Sequence, residues 1–219
     1  MEFLGQLNII VHVIAGTGML LTAPIAFLIN TKSIKYHRIA GKIFNYCMAI
    51  VGITSFIGFL KSPSSIFRQF LVAIAILTAY NVIKGVRAIQ IMKGSKIKRF
   101  DFINLYVLTF AGFFLVGAAA YSYFNFNISI TIIFAVFGIA CLAEFPRQWK
   151  RLSTPLTDKK EWFRIHIGAM MGAFIASMTA FTVNAVPWLP DLVKWFGPTV
   201  VLVPLIIFYT RKFAPKEKR

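Results

Sequence analysis

Apolar residues run along this chain in stretches of about twenty, broken by short clusters of charged, Ser, Asn, Gly and Pro residues. The strict alternation of a half-buried strand is absent, and the apolar runs match the length a helix needs to cross a hydrocarbon core. The pattern predicts seven spans, at about 5–30, 40–60, 68–92, 102–124, 127–145, 161–186 and 192–210. Between them stand "NTKSIKYHR", "KSPSSIFR", "MKGSKIKRFD", "NFN", "PRQWKRLSTPLTDKKE" and "PWLPD", all turn or charge signals. Pro24, Pro198 and Pro204 fall inside predicted spans. There they bend a helix while neighbouring helices satisfy the freed carbonyls. No long linker, repeat or low-complexity segment interrupts the series, so residues 1–219 read as a single all-α transmembrane domain, a seven-helix bundle.

The cations are distributed unevenly over the connections. Eighteen Lys and Arg lie in 31–42, 93–101, 145–160 and 211–219, against only Lys61 and Arg68 on the opposite side. Basic residues in short connections stay on the cytoplasmic face. The N-terminus is therefore expected outside and the C-terminus in the cytoplasm, which an odd number of crossings requires. The start "MEFLGQLNII" has no basic region and runs directly into a full span, so it does not read as a cleaved signal peptide.

Composition agrees: 58% of the 219 residues are hydrophobic and 14% charged, with mean hydropathy +0.73. The net charge of +17 would suggest nucleic acid in a soluble protein. In a membrane protein it follows from the basic connections, which also touch anionic lipid, and nucleic acid is not an expected partner. Cys47 and Cys141 both lie in predicted spans, which argues against a disulfide framework and a Cys-based metal motif.

The chemistry begins in "TAYNVIKGVRAI", residues 78–89, where Asn81, Lys84 and Arg87 interrupt the third span. At 1.5 Å per residue the two cations lie roughly 5–12 Å from its cytoplasmic end. Tyr80, Lys84 and Arg87 share one helix face. Such charges either snorkel to the interface or line a polar cavity. Gly85 beside Lys84 permits close helix approach. At the same depth the sequence places His37 and Arg38, Asn104 and Tyr106, Glu144, and then Glu161, Arg164 and His166. Their convergence would make a net basic pocket for an anion such as a lipid phosphate, a carboxylate or a haem propionate, with Glu144 the counter-ion of Arg87 or Lys84. The alternative is a closed ion-pair network tying the third, fifth and sixth spans together.

Of the three histidines, His12 falls on the outer side and His37 and His166 near the inner face. His12 is then roughly 20–25 Å from the others along the membrane normal. They cannot form one metal site, and no H-E-x-x-H is present, so no metal site is predicted. His37 and His166 could ligate a b-type haem axially, with Met170 an alternative partner of His166 and Lys84 and Arg87 holding propionates. A plainer reading gives each histidine a hydrogen bond to another helix, with His12 reaching Asn184 or Thr17 in a second polar cluster. Ser177, Thr179 and Thr182 read as interhelical hydrogen-bonding groups, and Gly168, Gly172 and Ala176 as a packing face. Trp162, Trp188 and Trp195 occupy interface positions.

The stretch "HVIAGTGMLLTAPIAFLINTKSIKYHRIAGKIF", with His12-x-x-x-Gly16 and His37-Arg38-x-x-Gly41, resembles an uncharacterised family of bacterial multi-pass membrane proteins, a domain of unknown function. "AYNVIKGVRAI" and "WFRIHIGAMMGAFIASMTAFTVN" are similar to that family's third- and sixth-helix signatures. The resemblance implies a helical protein of the bacterial cytoplasmic membrane and points to His12, His37, Arg87, His166 and Asn184; it implies no reaction.

Four functions are thus expected in descending order. The first is a cytoplasmic-side basic pocket of His37, Arg38, Lys84, Arg87, Glu144, Arg164 and His166 that binds an anionic lipid or small molecule, with or without transport. The others are a haem-bearing electron carrier, a metal-dependent membrane enzyme, and a membrane scaffold or assembly factor.

Overall fold

In a computed structural model, which describes residues 2–29, 33–125, 128–154 and 158–213, each of the seven predicted spans is one helix. They are α1 (Glu2–Ile29), α2 (Ile34–Leu60), α3 (Ile66–Met92), α4 (Arg99–Asn125), α5 (Ile128–Ser153), α6 (Lys159–Ala185) and α7 (Asp191–Phe213). All seven are long and apolar enough to cross a membrane, and no strand occurs among the described residues. The protein is an all-α, multi-pass membrane protein. A helix of 27 residues, such as α3, α4 or α6, is ~40 Å long, beyond the ~30 Å hydrocarbon thickness. Its ends therefore project into the headgroup region, where charge is tolerated.

Two helices run further than the sequence pattern suggests. The second starts at Ile34, so His37 and Arg38 stand on a helix and not in a connection. The fifth continues past the expected stop at 145, through Pro146, to Ser153. Pro146 removes one helix hydrogen bond, but packing carries the helix on. Gln148 and Leu152 are buried, and Trp149 stacks on Phe145 and meets Phe102 and Tyr106 of α4. Arg147, Lys150 and Arg151 are thereby helical residues.

By packing, the chain divides into two compact units, Met1–Ala79 and Tyr80–Arg219. In the first, α1 lies along α2. Gly18 gives the close approach: a side chain there would meet Cys47 Sγ at 3.2 Å. The polar tie is Thr54, whose carbonyl accepts from Asn8 at 3.1 Å and whose hydroxyl pairs with His12 Nδ1 at 2.8 Å. Arg68 donates to the Gly58 carbonyl at 2.7 Å.

In the second unit, α4 packs along α5 and α6 along α7. The α4–α5 seam closes on Gly112 and Gly138, and Leu105, Leu108, Leu115 and Cys141 are wholly buried beside it. Trp195 is buried edge-on to Phe137 of α5. Trp162 is buried with Ala88 and Ile165, while Trp188 is exposed.

The end of α3 closes with paired backbone bonds, Gly94 N–H to Ile91 O at 2.9 Å and Ser95 N–H to Gln90 O at 3.0 Å. This reversal needs a left-handed residue, and Gly94 supplies it with φ +101°. At the other end of the 93–98 connection, Asp101 Oδ2 accepts from Lys98 N–H at 2.8 Å, a carboxylate in the first turn of α4.

Candidate functional site

Within the second unit, α3, α5 and α6 line a partly open cavity of about 260 Å³, with Arg147, Glu161, Arg164 and Gly168 exposed. Its lining is Lys84 from α3; Glu144, Arg147 and Arg151 from α5; and Glu161, Arg164, Ile165, Gly168 and Ala169 from α6. The spacing explains the convergence. Positions 144, 147 and 151 lie on one face of α5, and 161, 164, 165 and 168 on one face of α6. The extra turns of α5 beyond Pro146 put the two arginines there.

Glu144 is the hub of the cavity floor. Its Oε1 accepts from Lys84 Nζ at 2.9 Å and from the Tyr80 hydroxyl at 3.2 Å. Arg147 Nη2 stands 3.4 Å from Oε2. The Lys84 and Glu144 side chains are only 12% and 15% exposed, and the ammonium lies 4.9 Å above the Tyr80 ring centre, a cation–π contact. Charge this deep in a span is tolerated because each member has a partner.

Close packing of α3 on α6 fixes this floor. A side chain at Gly85 would meet Met170 Cε at 2.8 Å, and the Gly85 carbonyl accepts from His166 Nδ1 at 2.9 Å. His166 thus binds the α3 backbone beside Lys84 and is not among the residues lining the cavity.

Arg87, expected on the same pocket face, is held elsewhere. Its Nε and Nη2 grip the two oxygens of Asp101 at 2.7 and 2.8 Å, Nη1 donates to Gln90 at 2.7 Å, and Nη2 to the Lys96 carbonyl at 2.9 Å. This bidentate pair braces the α3–α4 connection. Asp101 is itself buried. Asn104 reaches the Tyr80 carbonyl at 3.5 Å, and Tyr106 packs on Phe145.

The remaining candidate residues are placed as follows. His37 and Arg38 belong to the first unit, where His37 Nδ1 donates to the Ala26 carbonyl at 2.8 Å and Arg38 is exposed. His12 meets Thr54 of α2 and not Thr17 of its own helix. The Thr54 hydroxyl donates to Ile50 O at 2.8 Å, so it accepts from His12. Asn184 turns back to its own helix, donating to Ala180 O at 2.7 Å. Ser177 likewise bonds its own helix, to Ala173 O at 2.8 Å, whereas Thr182 crosses to Lys194 O of α7 at 2.8 Å. Among the described residues no group of three or more His, Cys, Asp or Glu is placed to hold a metal ion.

Arg147, Arg151 and Asp101 were not singled out by the sequence pattern. The first two read as connection charges after a proline. A signal for them existed in the apolar period Cys141, Phe145, Trp149 and Leu152, which continues across Pro146. For Asp101 the signal was an acid at the start of a helix directly after a basic run.

The arrangement offers cation recognition of an anion. Neither Arg151 nor Arg164 makes an ion pair among the described residues. Glu161 lies in the first turn of α6, where the helix dipole already favours its charge. The chain matches no protein-family model, and no curated protein or solved structure is significantly similar to it.

Proposed function

We propose that this is a protein of the bacterial cytoplasmic membrane whose α3–α5–α6 cavity binds an anionic lipid headgroup or small anion on the cytoplasmic side. The side follows from the excess of basic residues in the connections at that end of the helices. The observation that supports binding is the charge balance of the cavity wall. Lys84, Arg147, Arg151 and Arg164 face Glu144 and Glu161, four positive groups against two negative. A closed ion-pair network would leave no such excess. Arg87 with Asp101 is what closure looks like: both carboxylate oxygens engaged and Asp101 6% exposed. Arg151 and Arg164 have no equivalent among the described residues, and two like charges on one wall are stabilised by a bound anion.

Thermal unfolding of the purified protein in a neutral detergent tests this reading. Short-chain phosphatidylglycerol is expected to raise the Tm of the wild type, while phosphatidylcholine of the same chain length leaves it unchanged. At a hundredfold excess over Kd the ligand would add about 2.7 kcal/mol. The double variant Arg151→Gln/Arg164→Gln should lose most of the shift. Equal shifts with both lipids, or an undiminished shift in the double variant, would contradict the proposal.

A further inference from the structure

The cavity is specific enough to indicate which kind of anion it takes. We infer that it receives a phosphate monoester, a dianion, in preference to a singly charged phosphodiester. The inference rests on the anion-binding reading above and deepens it. Four cations against two carboxylates leave two positive charges on the wall. A phosphate monoester carries about −1.5 to −2 at neutral pH, which matches that excess; a diester carries one negative charge and leaves half of it.

The type and placement of the cations point the same way. Three of the four are arginines, whose planar forks engage phosphate oxygens in pairs. They come from two separate helices, Arg147 and Arg151 from α5 and Arg164 from α6. A monoester has three terminal oxygens and can be gripped from both helices at once. A diester has two, with its substituents occupying the remaining directions. Glu144 already holds Lys84 at 2.9 Å and Arg147 at 3.4 Å, so Arg151 and Arg164 are the cations left, among the described residues, to bind the ligand.

The wall also leaves a way out for the ester substituent. Gly168 lines the cavity, and no atom lies within 4 Å of where its side chain would begin. Ile165 and Ala169 beside it make that part of the wall apolar. A volume of about 260 Å³ is many times the roughly 10–15 Å³ that a single water requires. That accommodates a phosphate and the first atoms of its substituent. Two sources carry this chemistry, a lipid with a monoester headgroup and a water-soluble phosphomonoester.

Isothermal titration of the full chain in neutral detergent at pH 7.5 separates the possibilities. Phosphatidic acid is expected to bind at least about tenfold more tightly than phosphatidylglycerol of the same acyl chains, the value of one further charge-assisted hydrogen bond. Arg151→Gln/Arg164→Gln should weaken phosphatidic acid at least about tenfold and remove the preference. Gly168→Leu should abolish binding with the Tm of the unliganded protein not lowered, because the new side chain projects into the open space of the cavity beside the arginines and displaces nothing. Glycerol 3-phosphate binding at comparable affinity identifies a soluble ligand; binding of the lipid alone identifies a headgroup. Either result supports the monoester. Equal affinities for the two lipids, still sensitive to the arginines, would overturn the dianion preference and leave the basic cavity standing. Affinities indifferent to both the arginine substitutions and Gly168→Leu would overturn both.

Discussion

Glu144→Ala is expected to lower the unfolding free energy by about 3–5 kcal/mol, measured by steric trapping or thermal unfolding in detergent. The carboxylate holds three donors from two helices: the Lys84 ammonium, the Tyr80 hydroxyl and the Arg147 guanidinium. Removing it leaves an ammonium that is only 12% exposed without its counter-ion. It also strands the hydroxyl of Tyr80, itself 2% exposed. Lys84→Met should cost less, because Glu144 keeps Tyr80 and Arg147. The double variant Lys84→Met/Glu144→Met should recover much of the loss, since replacing both members of a buried pair is often near neutral where removing one is not. Unchanged stability in Glu144→Ala would mean that the pair does not brace α3 against α5.

The second large effect lies on the α4–α5 seam. Gly138→Leu should abolish the folded, monodisperse protein, and Gly138→Ala should cost roughly 1–3 kcal/mol. A side chain begun at Gly138 would sit 2.9 Å from Val116 Cγ2, 3.0 Å from the Val116 backbone nitrogen and 3.1 Å from the Gly112 carbonyl oxygen. Two of those three atoms are backbone and cannot rotate away, so the helices must separate. In a membrane, where apolar side chains gain little by leaving lipid, such close backbone approach is a main source of helix association. Gly117→Leu, on an exposed face of α4 with nothing within 4 Å, is the matched control and should be tolerated. Size-exclusion profiles in detergent distinguish them, and equal behaviour of the two leucine variants would refute the seam.

The number of spans and their approximate limits were legible because they depend on one strong signal, about twenty apolar residues bounded by charge. The end of α5 was not. Pro146 followed by Arg147 reads locally as a stop, and only the stacking of Trp149 on Phe145 shows why the helix continues. That local ambiguity hid Arg147 and Arg151 among the connection charges.

The partner of each buried cation was also only partly legible. The sequence offered Glu144 to either Lys84 or Arg87, because both stand near it in depth. The choice depends on helix rotation, which hydropathy does not encode. Arg87 turns to Asp101 because the Gly94 reversal brings the start of α4 back beside it. The neighbour of His12 was not legible: Thr54 is an ordinary span residue with no pattern to mark it.

The most direct test of the central claim, that the cavity between α3, α5 and α6 is an anion site, is native mass spectrometry of the protein extracted gently from its membrane. The wild type should retain one anionic, phosphate-bearing molecule per chain. That adduct should disappear in Gly168→Leu and be strongly depleted in Arg151→Gln/Arg164→Gln. A wild-type protein with no such adduct that also gains none when phosphatidic acid is added, or an adduct equally abundant in all three proteins, would contradict it.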